Sequence, residues 1–506
     1  MINLAKTSQN TWFKLAFFTI ACLLACVFGL ISITGNPILI GLAVGSLLGM
    51  CLLAIPKKTI SMVIALGLVL PALLDMAGHG LSRMLWAISM MALLLWLPGL
   101  LNLVNFNRSN DINQRKYIPL FIWLSLVFVI FAVINTILQL HSMGQFFGGF
   151  KRYFQTFGLI LALATFAISR KEFDQWLKLL LGIALLQLPF ALFERLVLVP
   201  MRGGIALGGG QATDIVAGTM GANLDGGSPN SIMVTFVLIA FAFVFSRWKS
   251  GLIDTSRLFL LSFILLLPLV LGETKVVIIM LPMLGLVLIR KDMLQQPGKY
   301  IPVFGGILLL SLAFAYLYFH FMLDSNIVDG LLGILAYNVD EKIGYGTSLL
   351  NRSSVITFWG QLHGWHDPIK LLFGSGIGSS YGDGYNAGHI ASMYPKYGIG
   401  LTALSTLLWD LGVVGVILYI SIFIAAWAQI SKTWRCSQSI KTKADCIALQ
   451  AGISLTLFFI IYSDSQLNLL VHQLIIAIML GYAAFLYQEQ RREVNEQPLN
   501  ITLNDV

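Results

Sequence analysis

Apolar runs long enough to cross a lipid bilayer recur from one end of this 506-residue chain to the other. A hydrocarbon core of about 30 Å needs roughly 17–25 apolar residues wound as a helix. Only a helix or a closed barrel satisfies its own backbone hydrogen bonds there. Barrel strands would alternate apolar and polar in units of about 10 residues, and runs such as LFLLSFILLLPLVLG do not alternate. The expected fold class is therefore an all-α polytopic membrane protein. Composition agrees, with 57% hydrophobic and 11% charged residues and a mean hydropathy of +0.83, where a soluble domain carries about 25% charge.

Fourteen spans are expected, near 13–34, 37–55, 59–77, 84–104, 118–139, 153–169, 177–199, 230–246, 257–272, 275–290, 301–321, 401–430, 446–462 and 466–487. The run after Lys6 and Lys14 is too long for a signal peptide and lacks a small-residue cleavage site, so it reads as the first span. With the N-terminus inside, 22 of the 32 Lys and Arg fall in cytoplasmic segments, as the positive-inside rule requires. The expectation is a multi-pass protein of the bacterial inner (cytoplasmic) membrane with both termini cytoplasmic. The net charge of +9 then reports topology and does not indicate nucleic acid. Cys22, Cys26, Cys51, Cys436 and Cys446 avoid the outer loops and form no CxxC, which argues against a disulfide framework or metal-thiolate chemistry. No repeat of the transporter kind stands out.

The organisation follows. Residues 1–320 hold the first eleven spans and a glycine-rich outer loop at 201–230. Residues 321–400 form a long outer loop bearing short helices and completing the site. Residues 401–487 hold the last three spans, and 488–506 form a polar cytoplasmic tail.

Ten cations fall outside against the topological preference: Arg83, Lys151, Arg152, Arg195, Arg202, Lys275, Lys342, Arg352, Lys370 and Lys396. Singly, each is accounted for by pairing or by snorkelling at a helix end. Together they suit an anionic ligand such as a pyrophosphate, which Arg and Lys donors offset strongly where water is scarce. Lys275 sits with Glu273 between two apolar runs, where the two either pair with each other or leave Lys275 to face a phosphate. Arg195 follows Glu194, and Arg202 opens the glycine loop. Asp75 lies near an outer helix end, and Asp410 lies inside a span.

Within the long loop, TSLLNRSSVITFWGQLHGW reads as an amphipathic helix with Arg352, Ile356, Trp359 and His363 on one side. It either lies on the membrane surface, where Trp359 and Trp365 are at home, or projects Arg352 as a ligand clamp. Beyond Pro368, the glycines 374, 376 and 378 allow close backbone approach, without the signature of a phosphate loop. Tyr381, Tyr385, Tyr394 and Tyr397 suit either sugar stacking or the interface. His363, His366 and His389, with Asp367 and Asp383, offer a general base. They lack a metal-ligand set, and no cofactor is expected.

These stretches, in this order, resemble the O-antigen ligase and O-antigen polymerase superfamily of bacterial surface-polysaccharide enzymes. GTMGANLDGGSPNSIMV is similar to the family's glycine–asparagine signature, with Asn230 at the asparagine. LGETKVVIIMLP stands where the family has a Ser-Arg pair, with Lys275 at the arginine. NRSSVITFWGQL followed by LLFGSGIGSS matches its Arg, Trp and Gly-x-Gly elements. LLWDLGVVGVIL matches its acidic-x-Gly-x-x-Gly element, with Asp410 at the acidic position. The likeness covers mainly Met201 to Tyr487. It implies a multi-span, GT-C-like glycosyltransferase that uses no nucleotide sugar. The donor would be a glycan on undecaprenyl pyrophosphate and the acceptor a lipid-linked repeat. The surroundings would be membrane lipid, with a flippase and a chain-length regulator as partners. The roles implied are catalytic for Arg352, His389, Glu273 and Asp410; pyrophosphate-binding for Lys275, Arg352, Arg202, Arg195 and Arg152; and shaping of the glycan site or loop for Asn230, Trp359, Gly376 and Tyr381. Two departures matter. Lys275 is a point charge where the family has a fork-shaped donor. Leu401 and Thr402 stand where ligases carry a His-Asn pair, so a ligase-type base is absent unless His389 substitutes. The expectation is a polymerase of O-antigen or exopolysaccharide repeats. The alternatives are ligase-type transfer to lipid A-core or protein, and a transporter of flippase or bicarbonate type.

Overall fold

The computed structural model describes residues 49, 51–77, 84–106, 117–201, 215–222, 229–272, 275–322, 326–346, 348–364, 366–382 and 387–496. The expected first span, most of the second, and Lys6, Lys14, Arg83, Arg202, Glu273, Trp365, Asp383 and Tyr385 lie outside these residues. The chain divides into two units, residues 1–59 and 60–506. Of the first, residues 49 and 51–59 are described, helical on both sides of a bend at Ile55, where Thr59 donates to the Leu52 carbonyl at 2.7 Å.

Among the described residues every regular element is helical. In chain order they are α1 (Pro56–Ala77), α2 (Leu85–Leu94), α3 (Trp96–Phe106), α4 (Leu120–Leu138), α5 (Met143–Phe154), α6 (Phe157–Thr165) and α7 (Arg170–Phe193). Then come α8 (Asn230–Lys249), α9 (Thr255–Leu271), α10 (Val277–Gln295), α11 (Pro297–Met322), α12 (Ile327–Val339), α13 (Ser354–Leu362), α14 (Pro368–Phe373) and α15 (His389–Met393). The chain closes with α16 (Ala403–Cys436), α17 (Ile440–Tyr462), α18 (Ser465–Asn468) and α19 (Leu470–Glu496). Among the described residues eight stretches are long and apolar enough to cross a bilayer: Pro56–Met76, Leu85–Val104, Leu120–Leu138, Arg170–Met201, Asn230–Lys249, Ala403–Cys436, Ile440–Tyr462 and Leu470–Glu493. The protein is thus an all-helical, multi-pass membrane protein. Leu138, Phe259 and Phe263 are 65–80% exposed. Such a surface is costly in water and ordinary against lipid.

Two expectations need adjustment. The connection between the expected spans 118–139 and 153–169 is helix α5, begun by Ser142, whose hydroxyl accepts from the Gln145 amide at 3.2 Å. Its glycines argue for a loop by propensity, yet Gly149 is needed for packing, since a Cβ there would sit 2.7 Å from the Ile377 carbonyl. The polar tail expected from residue 488 continues as helix to Glu496. Gln488 donates to the Ala164 carbonyl at 2.6 Å, and Glu489 pairs with Arg170 at 2.6 Å.

The apolar stretch of α19 is buried throughout and packs on α6, α16 and α17. At one end of the bundle a fully buried carboxylate, Asp445 on α17, gathers its neighbours. Arg247 of α8 grips it at 2.7 and 3.0 Å, Arg170 of α7 stands 3.8 Å away, and the Tyr482 hydroxyl of α19 donates to it. α17 has 23 residues and so runs about 34 Å from this charged end to the opposite one.

At that opposite end α16 is interrupted. Its 34 residues would span about 51 Å, more than a crossing needs. Gly412 leaves helical geometry at φ 65°. The break frees the carbonyls of Trp409 and Asp410 from helical partners, and a tight turn answers them. Ser375 donates its amide to Trp409 and Gly376 to Asp410, both at 2.8 Å. The approach is backbone on backbone. A Cβ at Gly412 would strike the Leu372 carbonyl carbon, and one at Gly374 (φ 67°) would lie 2.5 Å from the Asp410 carbonyl carbon. Gly374→Ala and Gly412→Ala are each expected to destabilise the protein by at least about 1–3 kcal/mol, the scale of a non-glycine residue held at a strained positive φ. Gly360→Ala, in open space on α13, is expected to be neutral or slightly stabilising. Thermal unfolding in detergent checks the ordering.

Candidate functional site

The site is built around the side chain of Asp410, which is fully buried. One carboxylate oxygen accepts from the Ser379 hydroxyl and the Ser380 amide, both at 2.8 Å. The other accepts from the Gly378 amide at 2.8 Å and the Tyr153 hydroxyl at 2.9 Å. Four donors on two oxygens leave this group fully engaged. Its role in the geometry is to hold the 374–380 turn against α16 and α5. Gly376 (φ 86°) and Gly378 (φ 80°) supply left-handed conformations that the turn requires. Thr136 and Asn135 at the end of α4 complete the cradle, through Ile377 N–H at 3.0 Å and the Phe373 carbonyl at 2.6 Å.

Beside the cradle opens a cavity of about 440 Å³, within the range of small-molecule sites, about 300–1,000 Å³. Arg152 and Tyr153 of α5, Tyr381, Tyr394 and the 398–401 stretch wall it, and Asp464 and Asn468 close it from the α17–α19 connection. The Arg152 guanidinium lies over the Tyr381 ring. Its backbone carbonyl accepts from Gln473 of α19, whose amide nitrogen also reaches the Leu467 carbonyl at 2.7 Å. One glutamine thus ties the end of α5 to the α18 turn and sets Arg152 and Asp464 in one cavity wall system. Asn468 donates to the Asp464 carboxylate. Burial pushes the Asp464 carboxyl up to about 6.

The loop residues are organised by Asn351, which is fully buried. Its side-chain oxygen accepts from the amides of Ser353 at 3.0 Å and Ser354 at 2.8 Å, opening α13. Its amide nitrogen donates to the carbonyls of Asp340 at 2.6 Å and Ile343 at 3.0 Å. The expected helix is therefore shorter than read, and Arg352 lies just before it. Arg352 donates to the Tyr462 carbonyl at 2.6 Å and to the Asn338 side chain. The Tyr345 and Tyr462 rings flank it at 4.3 and 4.4 Å. It straps the long loop to the end of α17, two residues before Asp464.

Of the residues expected at a site, Arg152, Tyr381 and Asp410 line the cavity, and Gly376 stands behind it in the cradle. Trp359 is buried in a loop core with Ile390, Ile399 and Trp409. His389 faces α5, its Nδ1 2.8 Å from the Gln145 side-chain oxygen and its ring stacked on His141 at 4.5 Å. Burial first, then His141 and Lys370, push its imidazole below the usual range. His363 stands edge-on to Trp409 at 4.9 Å, and burial followed by Lys370 lowers it likewise. Asn230 opens α8, Lys275 is exposed just before α10, and Arg195 sits in a π-helical turn. None of these three lines the cavity. Glu194 accepts from the amides of Ala217 at 2.8 Å and Gly218 at 2.7 Å, pinning the described part of the glycine loop. Glu273 and Arg202 fall outside the described residues. Among the described residues no three His, Cys, Asp or Glu side chains gather as a metal would require.

Sequence reasoning missed Tyr153, Asp464 and Asn468. Tyr153 read as the first residue of a span, and Asp464 fell in a three-residue connection. The available signal was an acidic residue at an outer helix end, the same signal that drew attention to Asp75. No protein-family model matches this chain, and no curated protein matches it significantly.

Arg352→Ala is expected to loosen the strap while the protein still inserts. Each charge-assisted bond is worth about 1.5–3 kcal/mol, so amide exchange across 338–353 should quicken at least about tenfold. Exchange mass spectrometry checks this, and Arg352→Lys should fall between the two.

Proposed function

We propose that the protein is a membrane glycosyltransferase that polymerises glycan repeats at the periplasmic face of the bacterial inner membrane. It transfers a glycan from undecaprenyl pyrophosphate to a lipid-linked acceptor repeat. The observation that carries the reading is the cavity at the end of α16, α17 and α19, walled by the long loop and furnished with one arginine, tyrosines and two carboxylates. Tyrosine rings suit sugar faces. Arg152 is placed to meet charge developing on a leaving pyrophosphate, and in a partly dehydrated pocket such an interaction is worth far more than in water. The resemblance of the Arg352, glycine-turn and Asp410 elements to the O-antigen ligase and polymerase superfamily adds to this, because Gly378 and Asp410 line the cavity and Arg352 holds the loop beside it. In this reading Asp410 and Arg352 position the site and do not touch the reacting atoms.

The charged end of the bundle, with Arg170, Arg247 and Lys441, supports placing that end in the cytoplasm. Leu401 and Thr402 stand where ligases carry a His-Asn pair, and here Thr402 caps α16, accepting from the Ser405 amide at 3.0 Å. A structural cap at that position favours polymerase over ligase.

Glycan and lipid-linked intermediates from a strain lacking the gene test the reading. Single repeats replacing long chains are expected. Long chains stranded on the carrier would mean ligation, and unchanged glycan would favour transport. Complementation with Arg152→Ala is expected to reduce polymer at least about 10²-fold, with Lys275→Ala costing less.

A further inference from the structure

Within the proposed cavity two carboxylates stand in contrasting surroundings. Asp410 accepts four hydrogen bonds and has no lone pair directed at an incoming group. Asp464 sits in the turn between α17 and α18, lines the cavity, and receives one side-chain donor, the Asn468 amide. The three histidines expected as bases face elsewhere, His389 toward Gln145, His363 toward Trp409 and His366 toward the Leu362 carbonyl at 3.3 Å, and none lines the cavity. Among the cavity-lining residues, that leaves Asp464 as the group with capacity to take a proton from a hydroxyl placed in the cavity.

We propose that Asp464 is the general base of the transferase, oriented by Asn468, and that it accepts the proton of the acceptor sugar hydroxyl. The inference rests on the glycosyl-transfer reading above. The acceptor oxygen forms a bond to the anomeric carbon of the donor. The bond from that carbon to the pyrophosphate oxygen breaks, and its electron pair leaves with the lipid pyrophosphate. The hydroxyl proton passes to the Asp464 carboxylate and then to water, so lipid pyrophosphate, lengthened glycan and one proton are the products.

The surroundings of Asp464 fit this role. Arg152 and Tyr153 of α5 and Asp410 of α16 line the same cavity. Arg352 holds the Tyr462 carbonyl just before it. His472 of α19 is 2.8 Å from the Ser465 hydroxyl just after it. Its carboxyl, pushed by burial to about 6, is ionised at neutral pH yet close enough to that pH to accept a proton efficiently. The sign of the pH effect follows. The carboxylate is the active form, so transfer is present above about pH 6 and is lost as pH falls through that value. Stability runs the other way. A carboxyl raised from 3.8 to about 6 favours folding when protonated, and that contribution is lost as pH rises from 3.8 through 6.

The test uses the full-length protein in nanodiscs with an undecaprenyl-pyrophosphate-linked repeat, following single-turnover transfer and thermal unfolding from pH 5 to 8. Asp464→Asn is expected to lose at least about 10²-fold in rate, the usual scale for removing a general base. Its unfolding midpoint at pH 8 should equal or exceed that of the wild type. Asp464→Glu is expected to recover part of the rate and to keep an acid limb. Asn468→Ala should shift that limb. A wild-type rate in Asp464→Asn, or an acid limb near pH 6 that survives in it, would overturn the assignment. A slow Asp464→Asn that also unfolds earlier would reduce Asp464 to a structural part and overturn it too. A wild-type protein that turns over no lipid-linked glycan would overturn the transfer reading itself, and this role with it.

Discussion

The carboxylate of Asp410 is the contact on which the rest of the site depends. A carboxylate taken out of water costs several kcal/mol unless its lone pairs are met, and here four donors meet them. Three come from one turn and one from α5, so satisfying this single group fixes the position of three segments. The break at Gly412 makes the arrangement possible. It exposes two main-chain carbonyls beside the side chain, and the same turn caps them. The glycines at 374, 376, 378 and 412 follow from that closeness, because each adopts a positive φ and at least two meet backbone where a side chain would stand.

A second buried carboxylate, Asp445, performs the matching task at the other end of α17. It draws Arg247, Arg170 and Tyr482 together, so α7, α8 and α19 are registered against α17 far from the cavity. The bundle between them is lipid-like packing with little directional content. Polar groups at its two ends supply the register that apolar side chains alone leave loose. Arg352 extends the same logic to the long loop, where one guanidinium crosses between two tyrosine rings to a helix-end carbonyl.

The helical, membrane-spanning nature of the chain was legible from run length and charge, because a bilayer imposes both directly. The glycine turn and the acidic position in α16 were legible as a pattern, although their meaning as a mutual cap was not. Nothing in Asp410 or Ser379 alone says that they meet. Arg352 stood out as a charge in the wrong place, and its partners, a carbonyl and two rings, have no signature in linear order. α5 was hidden by its glycines, which serve close packing against Ile377. Asp464 was hidden by the shortness of its connection. It becomes visible only when α18 folds back beside α5 through Gln473, a contact between residues more than 300 apart in the chain.

The proposed occupant of the cavity beside Asp410 is the lipid-linked pyrophosphate glycan. A photoreactive analogue of that donor, cross-linked to the protein in nanodiscs and mapped by mass spectrometry, tests it most directly. Labelling is expected on peptides carrying Arg152, Tyr381 or Asp464, lost in competition with undecaprenyl pyrophosphate. Labelling confined to the opposite end, around Arg247 and Lys441, or labelling that no pyrophosphate lipid displaces, would contradict it.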